Sequence, residues 1–116
     1  MEIKIVKGSI NKEELLAMAR GQFGDLVKAV VDVGQGIMAV AGEMHADEEV
    51  ILMEQEGSRR EHTWGINICP EKSGGEFIEF DSMINIKPSY GNRSRDVENV
   101  DIKEKIKTIV NKLIAD

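Results

Sequence analysis

Cysteine, proline and aromatic residues are all scarce in this chain of 116 residues. The single cysteine, Cys69, excludes an intramolecular disulfide and any zinc site built from several thiolates. Aromatic residues make up 4%, too few for the stacking platform of a single-stranded nucleic-acid groove. Positive charge is also in deficit. Fifteen Lys+Arg against 21 Asp+Glu leave a net charge of -6 and a pI near 5.0, which argues against whole-surface binding to nucleic acid or anionic membrane. No apolar run approaches the roughly 18 residues of a membrane span. Met1-Glu2-Ile3-Lys4 opens without the apolar core of a secretory signal. A cytoplasmic, non-membrane protein is the expectation.

What is present is a globular mixture, 41% hydrophobic and 31% charged. Met1 to Val6 reads as a short strand. Asn11 and Glu14 form a capping box, with Ile10 and Leu15 at the staple positions, and Leu15, Ala19 and Phe23 continue a helix that Gly24 stops. Leu26 to Val33 and Ile37 to Ala41 read as two strands joined by Gly34-Gln35-Gly36. Glu43 to Glu56 is acidic, and within it Asp47 reads as the cap of a helix whose first turn holds Glu48 and Glu49 and which Gly57 ends, although Val50-Ile51-Leu52-Met53 also suits a buried strand. Trp64, Ile66 and Ile68 alternate along a strand that Pro70 ends. A longer strand, Phe77 to Lys87, places Ile78, Phe80, Ile84 and Ile86 on one face and Glu79, Asp81, Met83 and Asn85 on the other. After a polar loop, Ile102, Ile106, Ile109, Val110 and Leu113 mark a last helix capped by Asn99. The order β-α-β-β-α-β-β-α predicts a single α+β domain over residues 1–116: a mainly antiparallel sheet of about five strands with helices packed on one side.

Four groups of residues can carry chemistry. Gly34-Gln35-Gly36-Ile37-Met38-Ala39 matches the letters of a dinucleotide fingerprint, but the apolar, β-branched continuation favours a hairpin turn. His45 and Asp47 have loop-like spacing for a divalent metal, with Glu43 or Glu49 as a third ligand, or His45 is an acid–base group; Asp47 as a helix cap is the plainer reading. Glu79, Asp81 and Asn85, with Asn67 across the hairpin, project from one strand face and suit one ligand, or else form a solvated outer face. Gly91-Asn92-Arg93-Ser94-Arg95 concentrates two guanidiniums, a hydroxyl and glycine-permitted amides. It suits an anionic oxygen cluster, unless Arg93 and Arg95 pair with neighbouring acids.

Trp64-Gly65-Ile66-Asn67-Ile68, Pro70-Glu71, the run Ile78 to Ile86 and Gly91 to Arg95 together resemble a family of short uncharacterised prokaryotic proteins, classed as a domain of unknown function. Gly42 to Asp47 and the closing helix extend the likeness over nearly the whole chain. The resemblance implies a bacterial or archaeal cytosolic origin and a single domain, and it carries over no activity, cofactor or catalytic residue.

The leading expectation is a binding domain for an anionic, phosphate-bearing ligand such as a phosphorylated metabolite or an RNA end. Arg93 and Arg95 would hold it, Asn92 and Ser94 orient it, and Asp81 and Asn85 read the remainder. One alternative is a metal-assisted phosphoester hydrolase with His45, Asp47 and Asp81 as ligands, Glu79 as base and Arg93 stabilising charge. Another is a homo-oligomer or interaction module covering outward Phe77 and Met83.

Overall fold

The structure, a computed structural model, describes residues 2–115. Met1, part of the expected first strand, lies outside them. In chain order the elements are β1 (Lys4–Val6), β2 (Ile10–Asn11), α1 (Lys12–Gly21), β3 (Val27–Asp32), β4 (Ile37–Val40), α2 (His45–Glu56), β5 (Thr63–Ile68), β6 (Ile78–Glu79), α3 (Val100–Leu113) and β7 (Ile114–Ala115). Five strands form an antiparallel sheet in the order β1-β4-β3-β5-β6, and β2 pairs with β7 in a small parallel ribbon. This is the α+β domain anticipated from the alternation of hairpins and helices.

The caps of α1 and α3 follow local rules. Asn11 Oδ1 accepts from Glu14 N–H (2.8 Å), and Asn99 Oδ1 accepts from Ile102 N–H (3.0 Å). The β3–β4 turn is tied by Asp32, whose Oδ1 accepts from the amides of Gly34 (2.8 Å) and Gln35 (3.1 Å). The glycine pair there makes a hairpin, with Gly36 at φ 72°, and no helix follows it.

The helices do not all share one side. α1 and α3 pack on the face that carries Val27, Ala29, Val31, Met38, Val40, Trp64, Ile66 and Ile68. α2 covers the opposite face, where Leu52 meets Val30, Ala39 and Ile84. The reason lies in β3 and β4. Both are buried along both faces, so a sheet covered on one side only would expose Val30, Ile37 and Ala39 to water.

The expected eleven-residue strand is also corrected. Pairing ends after Ile78–Glu79, and Met83–Asn85 form a 3₁₀ turn. Ser82 and Asn85 redirect the chain with their own side chains. Ser82 N–H donates to Arg95 O (3.1 Å), and Ser82 Oγ accepts from Ile84 N–H (3.3 Å). Asn85 then takes the place of a strand residue beside β5. Its Oδ1 accepts from Gly65 N–H (2.8 Å), and its Nδ2 donates to Gly65 O (2.9 Å) and Arg95 O (2.9 Å). One rung further, buried Lys87 Nζ donates to Thr63 O (2.5 Å) and Arg60 O (2.6 Å) while sitting 3.9 Å from the Trp64 ring centroid. Burial, with Arg60 nearby, holds the Lys87 ammonium down to about 8.

This arrangement requires glycine at 65. A Cβ there would stand 2.5 Å from Ser82 Cβ and Oγ and 3.1 Å from Ile84 Cγ1. Gly65→Ala is therefore expected to destabilise the protein by roughly 2 kcal/mol in urea unfolding, and the added change Ser82→Gly to recover part of that loss.

Candidate cleft at the N-terminus of α2

The register of β3, β5 and β6 sets one end of the α2-covered face. Lys28 lies opposite Asn67, and Asn67 opposite Glu79. They are next in line after Val30, Gly65 and Ala39, but α2 begins here and leaves them partly uncovered. The result is a cleft of about 200 Å³ lined by Lys28, Met44, His45, Ala46, Asn67, Asp81, Ser82, Met83, Ile84 and Arg95.

The chain enters α2 through an unusual turn. Ala41 has φ 73°, the only non-glycine residue in the left-handed region among the described residues. Gly42 follows, and a Cβ there would meet Glu48 Cγ at 2.6 Å. Glu48 Oε2 accepts from Gly42 N–H (2.9 Å), while its Oε1 has no partner. Burial pushes the Glu48 carboxyl well above the usual range. Asp47 does not cap the helix, contrary to expectation. The N-cap is Met44, which offers no side-chain acceptor, and Asp47 is an exposed first-turn residue. The first turn of α2, whose His45 and Ala46 line the cleft, therefore lacks a capping side chain.

His45 opens the helix. Its Nε2 lies 2.7 Å from Ile66 O. A carbonyl only accepts, so Nε2 carries the hydrogen and the neutral ring keeps a lone pair on Nδ1. Burial lowers the His45 pKa below the ordinary value, with Lys28 adding to the effect and Ile66 O and Asn67 opposing it. Asn67 Nδ2 donates to Glu79 Oε1 (3.3 Å), and Asn67 Oδ1 is buried without a partner. Asp81 Oδ1 accepts from Arg95 Nε (2.5 Å), both side chains being half exposed. Such a pair adds little stability, but it holds the guanidinium at the cleft. Lys28 Nζ sits 4.9 Å from the ring centroid of Phe23, which lines an adjoining depression.

The predicted ligand set thus divides. Asp81 and Arg95 reach the cleft, joined by His45 and by Asn67. Asn85 and Asn92 are spent on the backbone. Asn92 Nδ2 donates to the carbonyls of Asn85 (2.8 Å) and Asp96 (2.7 Å), and its Oδ1 accepts from Glu98 N–H (2.8 Å). The loop Gly91–Arg95 does hold an anion, but an internal one. Arg93 N–H donates to Glu98 Oε2 (3.0 Å), and the neighbouring Ser94 hydroxyl and the loop amides hold the Glu98 carboxyl below its ordinary value. Arg93 is exposed and does not line the cleft.

The set His45, Asp47 and Asp81 does not converge. Asp47 lies outside the cleft lining, and no group of three or more His, Cys, Asp or Glu side chains is placed to hold a metal among the described residues. Glu49, the other suggested ligand, instead accepts from Thr63 Oγ1 (2.5 Å) and Arg60 Nη1 (2.9 Å). Phe77 and Met83 do not share a face either. Phe77 packs against the main core with Lys12 over its ring, while Met83 stands exposed at the cleft.

Lys28 and Met44 were not singled out by sequence reasoning. The signal for Lys28 is a lone cation between buried apolar neighbours on β3.

The model of a family described as "Protein of unknown function (DUF5674)" matches residues 4–113. The chain belongs to this family. No curated protein and no solved structure matches the DUF5674 chain significantly. Among the described residues, no helix is long and apolar enough to cross a membrane.

The buried Glu48 carboxyl makes the stability of this DUF5674 domain depend on pH. Its folded pKa is raised, so the folded state holds the proton longer than the unfolded chain. Its contribution is complete below the ordinary carboxylate value and is lost as pH rises through the folded value. Glu48→Gln keeps the shape and removes that loss. Relative to the native protein, the variant is expected to gain at least about 1 kcal/mol at pH 8 and little or nothing at pH 4. Urea unfolding at the two pH values measures the difference.

Proposed function

We propose that this protein binds a small anionic molecule, a phosphate or a carboxylate, in the cleft at the N-terminus of α2. The observation that carries the reading is a convergence. Two cations from distant segments, Lys28 and Arg95, line the same small cleft as the uncapped first turn of a twelve-residue helix. Each favours negative charge, and the helix amides supply directed donors. In a chain of net charge -6, a cleft with two cations and one carboxylate, Asp81, runs against the average surface. Neutral His45 adds no charge beside the anion: its Nε2–H is committed to Ile66 O, and Nδ1 offers only an acceptor, suited to a donor elsewhere on the ligand. This reading keeps Arg95 and Asp81 of the expected set and moves the site from the Gly91–Arg95 loop, whose donors serve Glu98, to the cleft floor.

Amide NMR titration of the full chain with inorganic phosphate and with lactate tests it. Millimolar binding is expected, with the largest shifts at His45, Ala46 and Asn67. Arg95→Gln and Lys28→Gln should each weaken binding about fivefold, a step of roughly 1 kcal/mol. Unchanged spectra with both anions at about 10 mM would remove the proposal.

A further inference from the structure

The same cleft carries apolar surface that a bare anion does not use. Met44 is 57% exposed and Met83 64% exposed, and they reach the cleft from two separate elements, the start of α2 and the 3₁₀ turn. Ile84 and Ala46 continue the apolar lining. Methionine is unbranched and polarizable, suited to closing over an apolar body of variable shape. The volume, about 200 Å³, limits that body. A cavity of about 150 Å³ takes a benzene ring, and sites for drug-sized ligands begin near 300 Å³. One ring or one branched chain, with an acid group, fills the space.

The remaining constraint is Asn67. Its side chain is 8% exposed, its Nδ2 is committed to Glu79, and its Oδ1 has no donor. A buried acceptor left unpaired is costly, and a ligand donor would relieve it.

We infer that the anion bound here is a small apolar acid with a hydroxyl or ammonium donor beside its acid group, the class of apolar α-hydroxy and α-amino acids. This rests on the anion-binding reading above. Lys28 and Arg95 take the acid group, Asn67 Oδ1 accepts from the donor, and Met44, Met83 and Ile84 cover the apolar body. Asp81, already turned to Arg95, favours an ammonium over a second anion.

The experiment is the same NMR titration of the full chain with L-phenyllactate, 3-phenylpropionate and L-lactate. Phenyllactate is expected to bind at least about tenfold more tightly than lactate, which lacks the ring, and about threefold or more tightly than phenylpropionate, which lacks the hydroxyl. Met83→Ser, at an exposed position that leaves folding intact, should shrink the phenyllactate-to-lactate ratio to about threefold. If lactate binds through Arg95 but phenyllactate binds no better, this inference falls and the anion-binding reading stands. Equal affinity for phenyllactate and phenylpropionate overturns the role given to Asn67. No response to any of these acids or to phosphate removes both readings.

Discussion

The position of everything around the cleft depends on one side-chain amide. The outer edge of β5 presents alternate backbone groups that must find partners, and β6 serves only Asn67 and Ile68. Asn85 closes the next rung by offering Gly65 both an acceptor and a donor, as a strand residue would. It also donates to Arg95 O, which at the same time accepts from Ser82 N–H. Asn92 continues the chain of bonds from Asn85 O to Asp96 O and Glu98 N–H. The segment from Ser82 to Glu98 has little regular structure, yet it is held by a network in which each member is fixed by the next. Removing the Asn85 side chain would strand both buried backbone groups of Gly65 and leave Arg95 O with Ser82 N–H alone, so its effect exceeds that of one hydrogen bond.

The parts of the fold legible in the sequence are those governed by local rules. Asn11 and Asn99 cap their helices because each is followed by a run with an apolar stripe. The hairpin of β3 and β4 follows from β-branched residues on either side of a glycine turn. Three features escaped. The covering of both sheet faces is written in β3, where Val30 sits out of phase with Val27, Ala29 and Val31, but a run buried on both sides has no period to read. The extent of β6 was misjudged because Ile78, Phe80, Ile84 and Ile86 alternate as a strand does. The alternation is broken by Ser82 and Asn85, whose side chains compete for the backbone. Asp47 has the right chemistry for a cap, which places the start of α2 three residues late; the preceding turn at Ala41 and Gly42 decides the matter, and it depends on tertiary contacts with Glu48 and Lys28.

Of the site, the residue types were legible and the partnership was not. Arg95 and Asp81 were both singled out, and they meet. Asn92, Ser94 and the loop amides have the capacity to hold an anion, but Asn92 is spent on backbone groups, and it is the Arg93 amide that donates to a carboxylate. The anion is Glu98, six residues beyond Asn92. Sequence proximity favoured this outcome, because an acid a few residues downstream reaches loop donors at small entropic cost. A cluster of donors in a chain rich in carboxylates is thus first a candidate for internal satisfaction. What remains available is then found by subtraction.

That subtraction points to one end of α2. At other element ends local preference and tertiary structure agree: α1 and α3 are capped by asparagine, Asp32 is bonded by its turn, and Glu49 has Thr63 and Arg60; buried Trp64 Nε1 and Gln22 Oε1 lack partners as well. At the start of α2 several departures coincide. Ala41 adopts a left-handed conformation that costs about 1 kcal/mol. The helix has no side-chain cap, Glu48 is buried with one oxygen unpartnered, Asn67 Oδ1 is unpaired, and two methionines stand in solvent. No single departure marks a site, since each is tolerable within a domain stability of about 5–15 kcal/mol. The informative feature is that three of them, the uncapped first turn, Asn67 Oδ1 and the exposed Met44 and Met83, border the same cleft. Sequences settle local conflicts where nothing opposes it, and conflicts kept together are expected where a bound molecule resolves them. A ligand with an acid group, a donor and an apolar body would satisfy the open helix turn, the unpaired amide oxygen and the exposed methionines at once.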